Sequence, residues 1–219
     1  YGQIDRIDMA IKDGQAYLRV IDYKSTPLEL KLSDVWHGLS LQLLAYLAVV
    51  KNNAHKFTRL PVQSAGALYF GIHKPFERLD NPPGAEVSKK PPKLDGLLLA
   101  DADVLELMGG SDLVRAALKK DGSFTQLSRV AEPAETEALF AYLGEKLTSL
   151  ATDIQSGRIE AAPYKKTDGS RACTYCPYMP VCRFDVTMAG NGYRYLESLS
   201  HRQVLEKVCS RYEEGDEHL

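Results

Sequence analysis

The stretch Gly2–Lys24, GQIDRIDMAIKDGQAYLRVIDYK, consists of two alternating runs joined by Asp13-Gly14. An Asp-Gly pair between two such runs is a strong signal for a β-hairpin with a two-residue turn. Counting outward from that turn places Asp5 directly opposite Asp22. Residues in this relation have Cβ atoms about 5 Å apart, and two carboxylates at that separation repel each other unless a cation lies between them. The hairpin therefore predicts a cation-binding pair of aspartates.

Side-chain alternation sends the two carboxylates and Lys24 to the side of the hairpin that carries its apolar residues. Those apolar residues are Ile7, Met9, Ile11, Leu18 and Val20. Ionised groups are costly to bury unless they are paired or bind a metal, which favours a functional site. The alternative is a solvated hairpin end with Asp22 and Lys24 as surface charges, and a three-residue turn would shift the register.

The segment after the hairpin predicts a helix from Ser33, as its N-cap, to about Val50, with Gly38 interrupting the pattern. Its expected buried stripe is Val35, Leu39, Leu43, Tyr46, Leu47 and Val50. Gln42 and Tyr46 are four residues apart and so share one face. The two side chains either hydrogen-bond each other at the edge of the core, with no further role, or belong to the same site as the aspartates of the hairpin.

Three short segments resemble the nuclease motifs of the RecB-like branch of the PD-(D/E)XK nucleases. They are Gly2-Gln3-Ile4-Asp5, Asp22-Tyr23-Lys24 and Gln42-Leu43-Leu44-Ala45-Tyr46. The resemblance implies an α/β, restriction-endonuclease-like core with a mixed central sheet flanked by helices. It implies that Asp5, Asp22 and the backbone carbonyl of Tyr23 hold Mg²⁺, in a one-metal or two-metal site. Lys24 would orient or deprotonate the attacking water, and Gln42 and Tyr46 would support DNA strand placement.

The downstream sequence predicts five further blocks. They are a buried strand at Ser64–Lys74, a loop at Asn81–Pro92, a short helix at Ala102–Met108 ended by Gly109-Gly110, a basic turn in Leu118–Phe124 and a long helix at Pro133–Gln155. The long helix has Gly157 as its C′ residue, and its expected apolar stripe is Leu139, Leu143, Leu147, Leu150 and Ile154.

Three cysteines form the run Cys173-x2-Cys176-x5-Cys182. In an intracellular protein such spacing indicates metal or cluster ligation rather than disulfides. A zinc knuckle and a [4Fe–4S] cluster both need four ligands, so spacing alone leaves both open, together with three reduced cysteines that bind nothing. Cys209 lies among apolar residues of a predicted helix and is more typical of a buried thiol than of a fourth ligand.

These blocks and the cysteine run, in this order, resemble the C-terminal nuclease region of the AddB family, the second subunits of AddAB helicase–nucleases. The resemblance implies a C-terminal iron–sulfur segment whose [4Fe–4S] cluster takes its fourth cysteine from upstream. It implies an AddA helicase–nuclease partner, a cytoplasmic location and a Mg²⁺-dependent DNA exonuclease that processes double-strand breaks for homologous recombination repair. The alternatives are a non-catalytic DNA-binding or scaffold module of the same complex, and a free-standing Cas4-like nuclease.

The composition, 219 residues with 44% hydrophobic content, predicts one elaborated domain. Its expected parts are a catalytic core (1–75), a loop-rich insert (76–132), the long helix (133–160), the cysteine segment (163–190) and a C-terminal helix and tail (191–219). The net charge of −2 gives no indication of nucleic-acid binding. The sequence contains no Gly-rich phosphate loop, which predicts that the chain does not hydrolyse ATP. Local basic groups occur at Lys89, Lys90 and Lys93, at Lys119 and Lys120, and at Lys165, Lys166 and Arg171.

The chain opens directly at the first nuclease motif, so it is expected to be a fragment of a longer protein. The resemblance implies that two features of the family lie before Tyr1: an upstream helix that carries a metal-binding histidine, and the first cluster cysteine. We therefore expect the isolated chain to bind metal weakly and to hold no cluster or a labile one.

Overall fold

The computed structural model describes residues 2–72, 94–110 and 113–216. The predicted loop Asn81–Pro92 and the basic group Lys89, Lys90 and Lys93 lie outside the described residues. The described strands are β1 (Arg6–Lys12), β2 (Gln15–Lys24), β3 (Val62–Gly71), β4 (Asp95–Leu99), β5 (Val130–Ala131), β6 (Tyr164–Lys166) and β7 (Arg194–Leu196). The α-helices are α1 (Leu32–Trp36), α2 (Gln42–Asn52), α3 (Ala102–Leu107), α4 (Pro133–Gln155), α5 (Met179–Cys182) and α6 (His201–Asp216).

The hairpin of β1 and β2 has the predicted register. Lys12 pairs with Gln15, and the antiparallel pairing continues to Arg6 opposite Ile21. The turn residue Asp13 has φ +52° and the following glycine has φ +75°, as a two-residue type I′ turn requires. One further step outward along this register brings Asp5 opposite Asp22.

The central sheet is mixed and has the order β1-β2-β3-β4-β5. The β1–β2 and β3–β4 pairs are antiparallel, whereas β2–β3 and β4–β5 are parallel. Gly96 in β4 has to be glycine, since a Cβ there would lie 2.0 Å from the carbonyl oxygen of Ala67. This sheet, with helices against it, confirms the predicted mixed α/β core.

The main hydrophobic core lies between one face of the sheet and helices α1, α2, α4 and α6. Leu18 and Val20 of β2 belong to it, and both are almost fully buried. The opposite face is also covered, because Ile21 and Leu68 pack against α3 and the chain that follows it. The apolar stripe predicted on β1 is only partly buried. Met9 and Ile11 are 46% and 56% exposed, because β1 is the edge strand.

The single helix predicted from Ser33 to Val50 is wrong. The chain forms two helices, α1 and α2, and Gly38 between them has φ +81°, a left-handed conformation that ends a helix. The N-cap of α1 is Lys31, so Ser33 lies inside the helix. Its hydroxyl instead accepts a hydrogen bond from Leu199 N at 3.2 Å.

Helix α4 has the predicted bounds, Pro133–Gln155. A capping box formed by Glu132 and Glu135 fixes its start, with proline in the first turn. Gly157, at φ +73°, follows its end. The predicted apolar stripe is buried only in the first half. Leu139 and Leu143 are buried, whereas the stripe residues in the second half are 38% to 78% exposed: Leu147, Leu150 and Ile154.

The other local predictions hold where the structure describes them. Strand β3 overlaps the predicted apolar strand and starts two residues earlier, at Val62. Helix α3 matches the predicted short helix, and Leu118 and Phe124 form an antiparallel bridge around the turn at Gly122. The cysteine segment lies between β6 and β7, which pair in parallel. None of the helices in the described ranges is both long and apolar enough to cross a membrane.

Candidate functional site

The first part of the site is the end of the hairpin remote from its turn. The carboxylate of Asp5 accepts a hydrogen bond from the backbone N–H of Tyr23 at 2.9 Å, which ties the residue before β1 to the end of β2. Asp5 is exposed, whereas Asp22 is 5% exposed. The hairpin thus brings one accessible and one buried carboxylate to the same end of the sheet.

The second part of the site is a connected set of polar side chains that starts at Lys24. Its Nζ lies 2.6 Å from Oδ2 of Asp22 and donates a hydrogen bond to Oε1 of Gln42 at 3.2 Å. Nε2 of Gln42 in turn donates to the hydroxyl of Tyr46 at 3.1 Å. The structure therefore joins Asp22, Lys24, Gln42 and Tyr46 into one set, and helix α2 begins at Gln42.

The oxygen atoms at this end suit a hard divalent cation. Oδ2 of Asp22 is fully buried and accepts no hydrogen bond, because its close contact with Lys24 lacks hydrogen-bond geometry. Carboxylate and carbonyl oxygens are the ligands that Mg²⁺ prefers, and Mg²⁺ usually keeps several waters. Among the described residues no three His, Cys, Asp or Glu side chains converge on one ion position. An ion here would be held by Asp5, Asp22, the Tyr23 carbonyl and water.

Sequence reasoning missed one residue that contacts this set, Tyr69 on β3. It is 4% exposed, pairs in register with Asp22, and has its ring centroid 5.6 Å from Nζ of Lys24. Burial, and then the nearby charge of Asp22, raise the pKa of the Tyr69 hydroxyl. The sequence showed an aromatic residue in a buried strand, but the pairing of β2 with β3 is non-local and no short motif encodes it.

Cys173, Cys176 and Cys182 line one cavity of about 340 Å³, together with Arg171 and Arg183. Among the described residues no three His, Cys, Asp or Glu side chains, these thiols included, are placed to hold a single metal ion. In a four-iron cluster each thiolate binds a different iron, so the ligands surround a cavity instead of meeting at one ion. The thiols present therefore fit three of the four ligands of such a cluster.

Cys209 lies on α6 and packs at the edge of the main core. Burial is the main cause that raises the pKa of its thiol, and the carboxylates of Glu135 and Glu213 act in the same direction. A thiol in such surroundings is less readily ionised, and the thiolate is the form that binds metals. Cys209 thus packs against apolar residues as predicted, but its side chain is partly and not fully buried.

A mixed sheet whose hairpin ends in two aspartates, with a lysine two residues after the second, is the core arrangement of metal-dependent nucleases of the restriction-endonuclease type. The family model of the PD-(D/E)XK nuclease superfamily matches residues 1–183, and the chain belongs to that superfamily. This confirms the resemblance seen in the three nuclease motifs.

The chain is also similar to larger bacterial proteins. It is 40% identical over 228 aligned residues to the B-type subunit of the ATP-dependent helicase/deoxyribonuclease of Bacillus cereus (strain AH187). Proteins with the same name from Bacillus mycoides (strain KBAB4) and Bacillus anthracis give the same identity. Each alignment covers 99% of this chain and 19% of the relative, so the chain spans about a fifth of the length of these relatives.

Proposed function

We propose that this chain is the Mg²⁺-dependent DNA nuclease domain of an AddB-type helicase/deoxyribonuclease. The observation that carries the proposal is the connected set of Asp22, Lys24, Gln42 and Tyr46. Asp5 is tied to the same end of the sheet through Tyr23. The name of the relatives, a helicase/deoxyribonuclease, indicates the substrate class, DNA.

In the proposed reaction, Asp5, Asp22 and the carbonyl of Tyr23 would hold the metal. When bound, Mg²⁺ lowers the pKa of a coordinated water and offsets charge that develops on the phosphate. Lys24 presents an ammonium group to the attacking water or to a phosphate oxygen, and Asp22 and Gln42 hold that group in place. The hydroxyl of Tyr46 accepts from Gln42, so its own proton remains to be donated to the DNA backbone.

The proposed role of the cysteine segment is to hold a [4Fe–4S] cluster. Cys173, Cys176 and Cys182 would supply three thiolates to the cavity that they line, and the fourth ligand would come from another cysteine. Cluster ligation would add folding energy to a segment whose side chains are largely exposed.

The proposed setting is a complex in which an AddA-type protein acts on DNA ends together with this one. There the domain would cleave single-stranded ends, as an exonuclease, while double-strand breaks are processed for homologous recombination repair. The support is the name of the relatives, which combines a helicase and a deoxyribonuclease in one assembly. Because DNA is the proposed substrate, the proposed location is the bacterial cytoplasm.

The test is cleavage of single-stranded DNA by the intact protein with and without Mg²⁺. Lys24→Ala should lower the cleavage rate about 100-fold or more, because it removes the positive donor at the reacting phosphate. Lys12→Ala is the matched control, since Lys12 lies at the other end of the same hairpin and pairs with exposed Asp103. Mg²⁺-independent cleavage, or equal rates for the two variants, would contradict the proposal.

A further inference from the structure

Tyr69 lies directly beneath the ammonium group of Lys24. In the parallel pairing of β2 and β3 it stands opposite Asp22, so the two side chains leave the sheet on the same face. Lys24 is two residues beyond Asp22 and shares that face. The distance of 5.6 Å from Nζ to the ring centroid lies within the range of cation–π contacts.

A lysine at this position needs such support. Its side chain is a flexible four-carbon stem, and its ammonium group is a point charge without the fixed geometry of a guanidinium. Asp22 and Gln42 contact Nζ but leave the side chain 30% exposed. A buried ring next to the ammonium group limits the other directions in which the stem can turn.

We propose, on the basis of the proposed nuclease function, that Tyr69 is a positioning residue that holds the ammonium group of Lys24 against Asp22 and Gln42. It acts through Lys24 and touches neither the metal nor the DNA. The aromatic ring carries this role. A tyrosine hydroxyl is ordinarily protonated at neutral pH, so it adds no negative charge beside Asp22.

The experiment compares variants of Tyr69 in the intact protein on single-stranded DNA, with kcat and KM measured separately. Tyr69→Leu should lower kcat roughly tenfold, because the cation–π contact is lost, and leave KM unchanged. Tyr69→Phe keeps the ring and should retain kcat within about twofold. Phe70→Leu is the matched control, since Phe70 points to the opposite face, contacts Tyr23 edge-on, and should leave kcat unchanged.

Two further measurements distinguish a loss of Lys24 positioning from a general loss of core packing around Tyr69. Tyr69→Met introduces a side chain of about the same volume as leucine, but unbranched and flexible, so it adapts more easily to the space of the ring. It should lower kcat by a similar factor if the protein folds, as circular dichroism would show. In a Lys24→Ala background, Tyr69→Leu should have no further effect on kcat, because the group that it positions is absent.

The inference is overturned if Tyr69→Met, folded, keeps the wild-type kcat, if Tyr69→Phe loses as much as Tyr69→Leu, or if the loss persists in the Lys24→Ala background. With an active wild-type protein these outcomes leave the proposed nuclease function standing. A wild-type protein that shows no Mg²⁺-dependent cleavage overturns the proposed function, and this inference with it.

Discussion

At the scale of single residues, Asp22 is both buried and incompletely hydrogen-bonded. It is buried at the end of a central strand, and yet one of its oxygen atoms accepts no hydrogen bond. A buried carboxylate without a full set of partners is expensive to maintain. Lys24 offsets part of this cost, and a bound divalent ion would offset more. These surroundings support the proposed role of Asp22 as a metal ligand.

A second titratable residue, the partly buried His201, stabilises the fold. Its Nε2 donates a hydrogen bond to the carbonyl of Val130 at 2.8 Å, which requires the proton on that nitrogen. Burial is the main cause that lowers the pKa of His201 below its ordinary value. It outweighs the effects of the Val130 carbonyl and Glu135, and the charges of Arg129 and Arg202 act in the same direction as burial.

The free energy of unfolding should therefore depend on the protonation of His201. The unfolded chain takes up this proton near pH 6.5, whereas the folded protein takes it up only at lower pH. Stability from this residue is present above pH 6.5 and is lost as the pH falls through the folded-state pKa. Chemical denaturation at pH 7.5 and at pH 5.5 measures how much the free energy of unfolding falls between the two pH values. That decrease should be smaller for His201→Gln than for the wild type. His55→Gln, at an exposed position, should behave as wild type.

At the scale of elements, the glycine between α1 and α2 decides where the polar residues of α2 begin. Gly38 turns the chain at φ +81°, and α2 then starts at Gln42, beside Lys24. A continuous helix would carry Gln42 in a different direction from the hairpin. The break is thus part of how the site is assembled.

A pair of glycine substitutions tests this break. Gly38→Ala should destabilise the protein by about 1 kcal/mol, because an L-residue is strained in the left-handed region. Space is not the obstacle, since a Cβ there would lie 3.6 Å from the nearest side-chain atom. Gly144→Ala, inside α4, should stabilise by up to about 1 kcal/mol because alanine is the better helix former. Urea denaturation measures both, and a shift of the same sign for the two variants would contradict this account.

The sequence predicted those elements whose signals are local. Asp13-Gly14 specified the hairpin register, and the proline and the trailing glycine of α4 bounded that helix correctly. The break at Gly38 was misjudged, because a glycine within an apolar pattern is compatible with either a continuous or an interrupted helix. Tyr69 could not be placed, because its position beside Asp22 depends on strands that are far apart in sequence.

At the scale of the whole molecule, the two candidate sites belong to different parts of the fold. The carboxylate site lies at the end of the central sheet, whereas the cysteine cavity lies in the segment between β6 and β7. Lys166 of β6 donates a hydrogen bond to Asp34 of α1 at 2.7 Å, which ties that segment to the helices on the sheet. The cysteine segment is therefore anchored to the nuclease core on one side, whatever group its cavity holds.

The central claim is that Asp5 and Asp22 hold the metal ion that drives DNA cleavage, and Asp22→Asn tests it most directly. The measurement is the Mg²⁺-dependent rate of single-stranded DNA cleavage, with DNA binding measured in parallel. Asp13→Asn is the matched control, because it makes the same change on the same hairpin and asparagine suits its positive φ.

The account predicts that Asp22→Asn lowers cleavage by about 100-fold or more and changes DNA affinity by less than about twofold, while Asp13→Asn matches the wild type in both. Wild-type cleavage by Asp22→Asn would contradict the account. A loss of DNA binding as large as the loss of cleavage would also contradict it, since that result would assign Asp22 a structural role.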